Sequence, residues 1–445
     1  MVNYLNTEDV IVAQCTSDGS GAINIIRISG RDLETLYKKI TCSRKKPRPN
    51  TIVYKNIYIN NKKLDHSLVS FFKTPNSFTG EDIIEINCHG GDFIAKNIIK
   101  ELCNFEHARH ALPGEFSFRA YNSGKIDILQ AESINELING KTNVFANKSL
   151  ENIDGMVSKQ IKSIKSNLIF LSSQLEYDLD VDESELENNG GELITKKINE
   201  ILSQIKNIAS CSLYSNIIKD GVRVVLLGKP NVGKSTMFNY LLGIDRSIVS
   251  NAAGTTRDSI EAVLEIAGHR VIIVDTAGYW KSKDKVEIMG IKKTQKEIDR
   301  SDIVLFLGEK NEDINLYETL KIKKESIKIL SKSDKNSSLL YDIEISSLNG
   351  SGFKSLLTLL STKIKKITEH KEMNSSYYIN NRQQKILSLL MDKGNQVIKE
   401  INIGVQNDII AELVKELINI LNEIIDPIKS EDVINNIFSN FCVGK

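Results

Sequence analysis

Residues 228–235 read Gly228-Lys229-Pro230-Asn231-Val232-Gly233-Lys234-Ser235, which matches the phosphate-binding loop pattern GxxxxGK[ST]. The apolar run 222–227 before the loop predicts a buried strand, and residues 236–242 after it predict a helix. A strand, a glycine-rich turn and a helix start are the context in which backbone N–H groups and the helix N-terminus bind phosphates. The pattern therefore predicts an α/β nucleotide-binding domain around this loop.

The loop and two later segments predict a magnesium-assisted phosphate site. Lys234 is expected to reach the β- and γ-phosphates, and Ser235 to offer its hydroxyl to Mg²⁺. Asp275-Thr276-Ala277-Gly278 follows the predicted strand 271–274, so that Asp275 holds Mg²⁺ through water and a glycine N–H meets the γ-phosphate. Residues 254–258 lie between these segments, where a threonine that completes the Mg²⁺ shell belongs.

Residues 331–334 predict which nucleotide base is bound. They read Ser-Lys-Ser-Asp and follow the predicted strand 327–330, in the place of a guanine-reading NKxD motif. Asp334 would accept hydrogen bonds from N1–H and N2–H₂ of guanine, a pair of donors that adenine lacks. Ser331 replaces the usual Asn, and its shorter side chain weakens one base contact; the backbone N–H groups of 346–348 are expected to supply the last one. We therefore predict GTP rather than ATP. The predicted GTP site comprises Asn231, Val232, Gly233, Lys234, Ser235, Thr236, Ser250, Asn251, Ala252, Ala253, Gly254, Thr255, Thr256, Asp275, Thr276, Ala277, Gly278, Ser331, Lys332, Ser333, Asp334, Ser346, Ser347 and Leu348.

Hydrolysis needs groups other than glutamine, because Tyr279 stands where many small GTPases have a water-orienting Gln. Asn231 is predicted to lend its amide oxygen to a K⁺ ion that offsets charge on the phosphoryl oxygens; the alternative is a role in loop geometry alone. Glu287 is predicted to orient the attacking water through a second water, against the alternative of a surface glutamate on a helix.

Composition limits the class of protein. With 445 residues and 41% hydrophobic content, the chain has room for two to four domains. No apolar run approaches the length of a membrane span, and the N-terminus lacks the pattern of a secretory signal. The six cysteines form no CxxC pair, which indicates reduced thiols in a cytoplasmic protein. Net charge is +1, and residues 31–63 hold ten basic and two acidic residues, for which a solvated face is favoured over a nucleic-acid site.

The remaining segments predict a multidomain chain. Residues 1–118 mix strands at 23–28, 68–72 and 83–86 with a helix at 93–103, which is typical of an α+β domain. Helical spacing follows from 126 to 218 and returns from 383 to the end, while strands and helices alternate from 222 to 365 as in a parallel sheet. We predict an α+β domain (1–118), an all-α helical domain (119–216 and 376–445) and an inserted α/β P-loop G domain (217–375).

Several runs outside the nucleotide motifs resemble the bacterial MnmE (TrmE) family of tRNA-uridine modification GTPases, over nearly the whole length. They are Arg27-Ile28-Ser29-Gly30, Phe78-Thr79-Gly80-Glu81-Asp82, His89-Gly90-Gly91, Pro113-Gly114-Glu115-Phe116-Ser117, Asn122-Ser123-Gly124-Lys125-Ile126-Asp127, Gln130-Ala131-Glu132 and the terminal Phe441-Cys442-Val443-Gly444-Lys445.

The resemblance implies an N-terminal dimerisation domain that binds a folate, and K⁺-stimulated GTP hydrolysis when two G domains meet. It implies K⁺ at Asn231, Ser250, Ala252 and Thr255, Mg²⁺ at Ser235 and Thr256, and Glu287 as the acid that orients water. A 5-formyl- or methylene-tetrahydrofolate would meet Arg27, Glu85, Lys125 and Lys445, with Cys442 packed nearby rather than catalytic.

The family function is addition of a carboxymethylaminomethyl-type group to carbon 5 of the wobble uridine of tRNAs. The implied partners are a second copy of the chain, tRNA and a flavoprotein of the MnmG (GidA) family, with GTP turnover as a conformational drive. One alternative is a ribosome-assembly or RNA-chaperone GTPase of the Era/Der kind, which predicts a KH module or tandem G domains. Another is a membrane-remodelling GTPase, which predicts a basic amphipathic helix or a span. The sequence shows neither set of features.

Overall fold

The computed structural model describes residues 4, 8–59, 62–105, 107–140, 142–180, 190–210, 217, 219, 221–244, 260–275, 295–372, 378–426, 437–439 and 441–444. Contacts divide the chain into two compact units. The first comprises Met1–Ile138, Leu150–Leu202 and Ile386–Lys445, and the second comprises Asn139–Ser149 and Ser203–Lys385. A multidomain protein is thus confirmed, while the finer division into three domains stays a prediction.

The sheet of the first unit has six strands in the order β3-β4-β5-β2-β1-β6. Helices α1 (Leu33–Thr41) and α2 (Asp92–Leu102) contribute to the apolar core on one face of this sheet. Because side chains alternate along a strand, Ile26 and Ile28 enter that core while Arg27 lies on the other face. The strands are β1 (Val10–Gln14), β2 (Ile23–Gly30), β3 (Thr51–Ile59), β4 (Lys62–Phe72), β5 (Asp82–His89) and β6 (Ala108–His110).

Helices make up the rest of the first unit, as the spacing predicts. The buried positions of the long helix α6 (Met156–Asp180) recur three and four residues apart, and α6 packs against α12 (Asn407–Ile425) near the end of the chain. The two predicted halves of the helical region are therefore in contact. The other helices are α3 (Glu115–Asn122), α4 (Ile128–Asn139), α5 (Asn143–Ile153), α7 (Gly190–Ser210) and α11 (Asn381–Asn402), of which α4, α5, α7 and α11 lie partly in the second unit.

The sheet of the second unit also has six strands, in the order β12-β11-β10-β7-β9-β8. Every residue of β10 (Ile303–Gly308) is buried, as is typical of a central parallel strand covered on both faces. The other strands are β7 (Val222–Gly228), β8 (Ile260–Ile266), β9 (His269–Asp275), β11 (Glu325–Leu330) and β12 (Ile343–Glu344), and the helices are α8 (Lys234–Ile244), α9 (Ile314–Thr319) and α10 (Phe353–Glu372).

The predicted strands pair in parallel, and a further edge strand, β8, which was not predicted, pairs antiparallel with β9. The two strands are joined by Ala267 and Gly268, which both have positive φ (54° and 79°). Two such residues form the tight turn that reverses the chain in a hairpin. Among the described residues, no helix is long and apolar enough to cross a membrane.

Candidate functional site

The phosphate-binding loop connects β7 to α8, as predicted. Gly228 has φ 147°, and a Cβ there would lie 2.3 Å from the carbonyl oxygen of Leu307 on the neighbouring strand β10, so that only glycine fits. Asn231 has φ 64°, a left-handed conformation that asparagine tolerates better than most residues. The first helical hydrogen bond runs from the Met237 N–H to the Gly233 carbonyl at 2.9 Å, which fixes the loop against the helix start.

Lys234 lies inside the curve of the loop and is only 4% exposed. Its Nζ donates to the carbonyl oxygens of Gly228 and Lys229, each at 2.8 Å. Burial lowers the pKa of Lys234, and the nearby Asp275 carboxylate opposes that shift. Phosphate oxygens would give this amine charged acceptors in place of the neutral carbonyls. Hydrogen bonds to charged acceptors are shorter and stronger than those to neutral ones.

Ser235 and Asp275 meet at the carboxyl end of two neighbouring strands. The register pairs Leu226 of β7 with Asp275 of β9, and the Ser235 hydroxyl donates to Asp275 Oδ2 at 3.2 Å. A hydroxyl and a carboxylate are oxygen ligands of the kind that Mg²⁺ prefers. Residues 250–256, Thr276, Ala277, Gly278 and Glu287 lie outside the described residues.

Ser331 makes both of its observed hydrogen bonds to the end of β10. Its N–H and its hydroxyl donate to the Gly308 carbonyl at 2.8 and 3.1 Å, and the residue is buried. Lys332, with φ 56°, pairs through Nζ with the Glu309 carboxylate at 2.7 Å. The Ser331 side chain therefore stabilises the loop after β11 rather than projecting from it.

The structure brings the two predicted base-side segments together. The exposed Asp334 accepts a hydrogen bond from the buried Ser346 hydroxyl at 2.7 Å, and the Ser333 N–H donates to the Ile345 carbonyl at 3.0 Å. Leu348 is exposed beside them, and its N–H lies 3.4 Å from the Ser346 hydroxyl. The carboxylate that would read guanine is thus held in place by a neighbouring side chain.

An ion pair that supports the phosphate loop was not predicted from the sequence. Lys229 Nζ lies 2.6 Å from Asp313 Oδ1, while Oδ2 accepts the N–H groups of Glu309 and Lys310 at 2.9 and 3.1 Å. Burial alone would raise the pKa of Asp313, but these hydrogen bonds outweigh it and the pKa is lowered. The sequence signal is weak, since Lys229 occupies a variable position of the motif and Asp313 precedes a short helix.

A second cluster lies in the first unit, on the face of the sheet opposite the core that α1 and α2 cover. Arg27 and Glu85 are directly paired across β2 and β5 and form a 2.9 Å salt bridge. The Arg27 guanidinium lies 5.7 Å from the ring centres of both Phe78 and Phe116. Arg27 Nη1 also approaches the Gly444 carbonyl at 3.5 Å, so the end of the chain reaches this pair.

Backbone contacts hold the C-terminal segment there. The Gly114 N–H donates to the Cys442 carbonyl at 3.2 Å, and the Cys15 thiol donates to the Gly444 carbonyl at 3.1 Å. Gly444 has φ 98°, and a Cβ would lie 2.4 Å from the Gln14 carbonyl oxygen. Two of the four predicted folate residues, Arg27 and Glu85, are thus in contact with each other and beside the chain end. Lys445 lies outside the described residues, and Cys442 is exposed.

A cavity of about 410 Å³ opens in the same unit. The predicted folate residue Lys125 lies at its edge, with Cε 3.7 Å from the position of a Cβ on Gly80. Arg119 is almost fully buried and bonded to Glu81 and Glu115, yet its Nε has no hydrogen-bond partner in the described part of the chain. None of the residues that line the cavity is among the ligands predicted from the sequence. The lining residues are Arg31, Asp32, Lys73, Thr74, Thr79, Gly80, Glu81, Asp82, Arg119, Asn122 and Ser123.

The doubly covered sheet, the phosphate loop and the Asp334 carboxylate together define a P-loop GTPase. Comparison with known proteins then gives the family. Residues 10–125 match the family model "GTP-binding protein TrmE N-terminus" and residues 128–442 match the "MnmE helical domain". The chain belongs to the MnmE family, and the prediction of a GTP-binding GTP hydrolase is confirmed.

Relatives match over almost their entire length. The tRNA modification GTPase MnmE of Thermosipho melanesiensis is 34% identical over 98% of this chain and 100% of that protein. The proteins of the same name from Aquifex aeolicus and Caldicellulosiruptor saccharolyticus are 32% and 36% identical, each over 98% of this chain and 99% of the relative. Among solved structures, the G domain of the T. maritima FeoB iron transporter is 26% identical, covers 33% of this chain and 98% of that one, and has a TM-score of 0.26, too low to support a conclusion.

Proposed function

We propose that this protein is a K⁺-activated GTPase that acts with a flavoprotein of the MnmG/GidA family. Together they would add a carboxymethylaminomethyl-type group to carbon 5 of the wobble uridine of tRNAs, with GTP hydrolysis driving a conformational change. Membership of the MnmE family over nearly the whole chain carries this proposal, because its relatives are named tRNA modification GTPases. The TrmE match at 10–125 also gives a role to residues that an Era/Der-type GTPase leaves unexplained.

In the proposed reaction, Lys234 binds the β- and γ-phosphates, and Ser235 and Asp275 hold Mg²⁺, with Thr256 as a further ligand. Support comes from the buried amine inside the loop and from the 3.2 Å contact between the Ser235 hydroxyl and the Asp275 carboxylate. Mg²⁺ bridges the phosphates and neutralises charge that develops during transfer. The exposed Asn231, in its left-handed conformation, would bind K⁺ with Ser250, Ala252 and Thr255, and Glu287 would orient the attacking water.

Guanine would be read by the Asp334 carboxylate. The Ser346 hydroxyl holds one carboxylate oxygen at 2.7 Å, which limits the rotation of that side chain and supports a fixed acceptor for N1–H and N2–H₂. Lys332, Ser333, Ser347 and Leu348 would complete the base pocket. Since the Ser331 hydroxyl is bonded to the Gly308 carbonyl, we propose that Ser331 supports the loop and makes little direct contact with the base.

The residues of the first unit fit a folate. A reduced folate carries a carboxylate tail and an amino-pyrimidine ring, and the region provides the paired Arg27 and Glu85, Lys125 at the cavity edge and the chain end that leads to Lys445. The Nε of Arg119, which has no hydrogen-bond partner among the described residues, offers a further buried donor. A 5-formyl- or methylene-tetrahydrofolate bound there would supply the one-carbon unit.

A homodimer is proposed through the N-terminal α+β domain, and the face that bears Arg27 and Glu85 is a suitable surface. On this face Ile52, Tyr54 and Leu68 are 67%, 66% and 43% exposed. Strand register pairs Tyr54 with Leu68 and Ile52 with Ser70, so the three side chains form one apolar patch. We further propose that the G domain is inserted into the helical domain and that the protein works in the cytoplasm.

Complementation tests the proposed function. In a bacterial strain that lacks its own family member, expression of this chain should restore the modified wobble uridine, measured by mass spectrometry of digested tRNA. The Lys234→Ala variant, expressed at the same level, should fail to restore it. Absence of the modified nucleoside with the wild-type chain, in the presence of a cognate flavoprotein, would contradict the proposal.

A further inference from the structure

The loop between α1 and β3 carries an unusual density of positive charge. Residues 42–50 read Cys-Ser-Arg-Lys-Lys-Pro-Arg-Pro-Asn, with four cations in nine residues and no acidic side chain. The whole chain has a net charge of +1, so this loop is a strong local departure from the average. Arg44, Lys45, Lys46 and Arg48 are all exposed.

The backbone of this loop is fixed although its side chains are exposed. Cys42 ends α1 in the left-handed conformation, and the Ser43 N–H donates to the Lys38 carbonyl at 3.1 Å. At the other end, the Thr51 hydroxyl donates to the Arg48 carbonyl at 2.8 Å, and the Asn50 N–H donates to Phe71 of β4 at 2.9 Å. Pro47 and Pro49 restrict φ between these anchors. The cations therefore project from a preorganised surface.

Most of these charges are not neutralised by residues that the structure describes. Lys46 lies 3.4 Å from Glu34, whereas the side chains of Arg44, Lys45 and Arg48 have no ion pair or hydrogen bond with any residue that the structure describes. Protein–protein interfaces usually have an apolar or aromatic centre, and residues 42–50 contain no aromatic or large aliphatic side chain. Phosphate contacts need only Lys, Arg and polar groups.

We propose that residues 42–50 form a phosphate-contacting surface for RNA, here the backbone of the tRNA substrate. This inference rests on the proposed function and assigns its substrate to a specific place on the chain. Contacts of this type are independent of sequence: they set the position of the RNA and make binding depend on salt. These phosphate contacts require none of the residues that we propose to bind folate or nucleotide.

The test uses the full-length protein and a fluorescein-labelled, unmodified tRNA transcript with a wobble uridine, with binding followed by anisotropy over a series of KCl concentrations. The triple variant R44Q/K45Q/R48Q should bind at least about tenfold more weakly in low salt, and its slope of log K against log salt should fall by about 2 to 3. The matched control K321Q/K323Q/K324Q removes three exposed charges from the second unit and should bind like the wild type. Basal GTP hydrolysis and thermal stability should be unchanged in both variants.

Equal affinity and equal salt slope for the wild type and R44Q/K45Q/R48Q would overturn the proposed surface, as would equal losses in the two triple variants. A loss of flavoprotein binding with unchanged tRNA binding would also overturn it and assign the loop to a protein partner. If the wild-type chain binds no tRNA, the surface is overturned, and the complementation experiment decides separately whether the proposed function stands.

Discussion

The nucleotide site and the Arg27–Glu85 region are assembled from the sequence in different ways. In the nucleotide site, the key groups lie in loops at the carboxyl ends of adjacent parallel strands, with Lys234 and Ser235 at the start of a single helix. In the Arg27–Glu85 region, the paired side chains come from two antiparallel strands, and the last residues of the chain complete the surroundings. The first site depends on local backbone geometry and the second on long-range packing.

This difference in assembly predicts how each site responds to substitutions. A phosphate loop needs glycine at Gly228 and a few side chains, and the neighbouring β10 is buried throughout. The proposed folate site around Arg27 and Glu85 instead needs the C-terminal segment to stay docked and the buried charges of Arg119 and Glu115 to stay paired. We therefore expect substitutions to separate GTP binding from folate binding.

The largest effect is expected from Arg119→Met. Arg119 and Glu115 are both almost fully buried and lie 3.2 Å apart, so the variant leaves the carboxylate without one of its partners. Breaking a buried pair in this way costs about 3–5 kcal/mol. The loss of stability can be measured by urea unfolding, with hydrogen exchange in peptides that cover β1 and α3 as the readout. The affinity for GDP should not change.

The control for that variant is Arg300→Met, which removes an exposed arginine 3.9 Å from Glu297. A surface pair of this kind contributes about 0–1 kcal/mol. Equal destabilisation by the two substitutions would show that burial of Arg119 does not determine its contribution.

Lys234→Ala tests the nucleotide site. Loss of a charge-assisted contact to phosphate should weaken GTP binding about 100-fold, as judged by displacement of a fluorescent nucleotide. Hydrolysis should fall at least as much, while folate binding stays unchanged. Lys321→Ala, at an exposed position, is the control. Retention of tight GTP binding by Lys234→Ala would contradict the role assigned to this amine.

Arg27→Gln should weaken binding of 5-formyltetrahydrofolate about tenfold, since one charge-assisted hydrogen bond is removed. Calorimetry with the full-length chain measures this, and Glu85→Gln should give a similar loss from the other member of the pair. Basal GTP hydrolysis should match the wild type in both variants. Unchanged folate affinity in both would move the ligand away from this part of the sheet.

Ser331→Asn is expected to have the smallest effect, a change of less than about fivefold in GDP affinity, because one neutral hydrogen bond contributes only about 1 kcal/mol. The Ser331 hydroxyl already bonds the Gly308 carbonyl, so the base contact in this chain rests mainly on Asp334. A gain of more than tenfold would show that the serine limits guanine recognition.

The nucleotide-binding unit could be predicted from the sequence because its signals are local. The strand before the loop was predicted at 222–227 and observed at Val222–Gly228, and the helix predicted at 236–242 extends over Lys234–Ile244. The antiparallel β8 was missed because the turn at Ala267 and Gly268 lacks the Asn-Gly or Asp-Gly signature of most such hairpins.

Features that depend on long-range contacts could not be predicted in this way. Nothing near Lys229 in the sequence identifies Asp313 as its partner, and nothing near Arg119 shows that its guanidinium would be buried beside a cavity. The resemblance to a family identified Arg27 and Glu85, and the sheet register explains why they meet. The predicted K⁺ ligands other than Asn231, and Glu287, lie outside the described residues and stay predictions.

Our central proposal is that a K⁺ ion bound by Asn231 supports GTP hydrolysis in a chain that has Tyr279 in place of the usual glutamine. Its most direct test is the rate of phosphate release from GTP by the purified chain in KCl and in NaCl at equal ionic strength, with Asn231→Ala beside the wild type. We expect the wild type to release phosphate at least about tenfold faster in K⁺, because a positive charge at this position accelerates other GTPases by far more than that. The variant should show no cation preference. Equal wild-type rates in the two salts would contradict it.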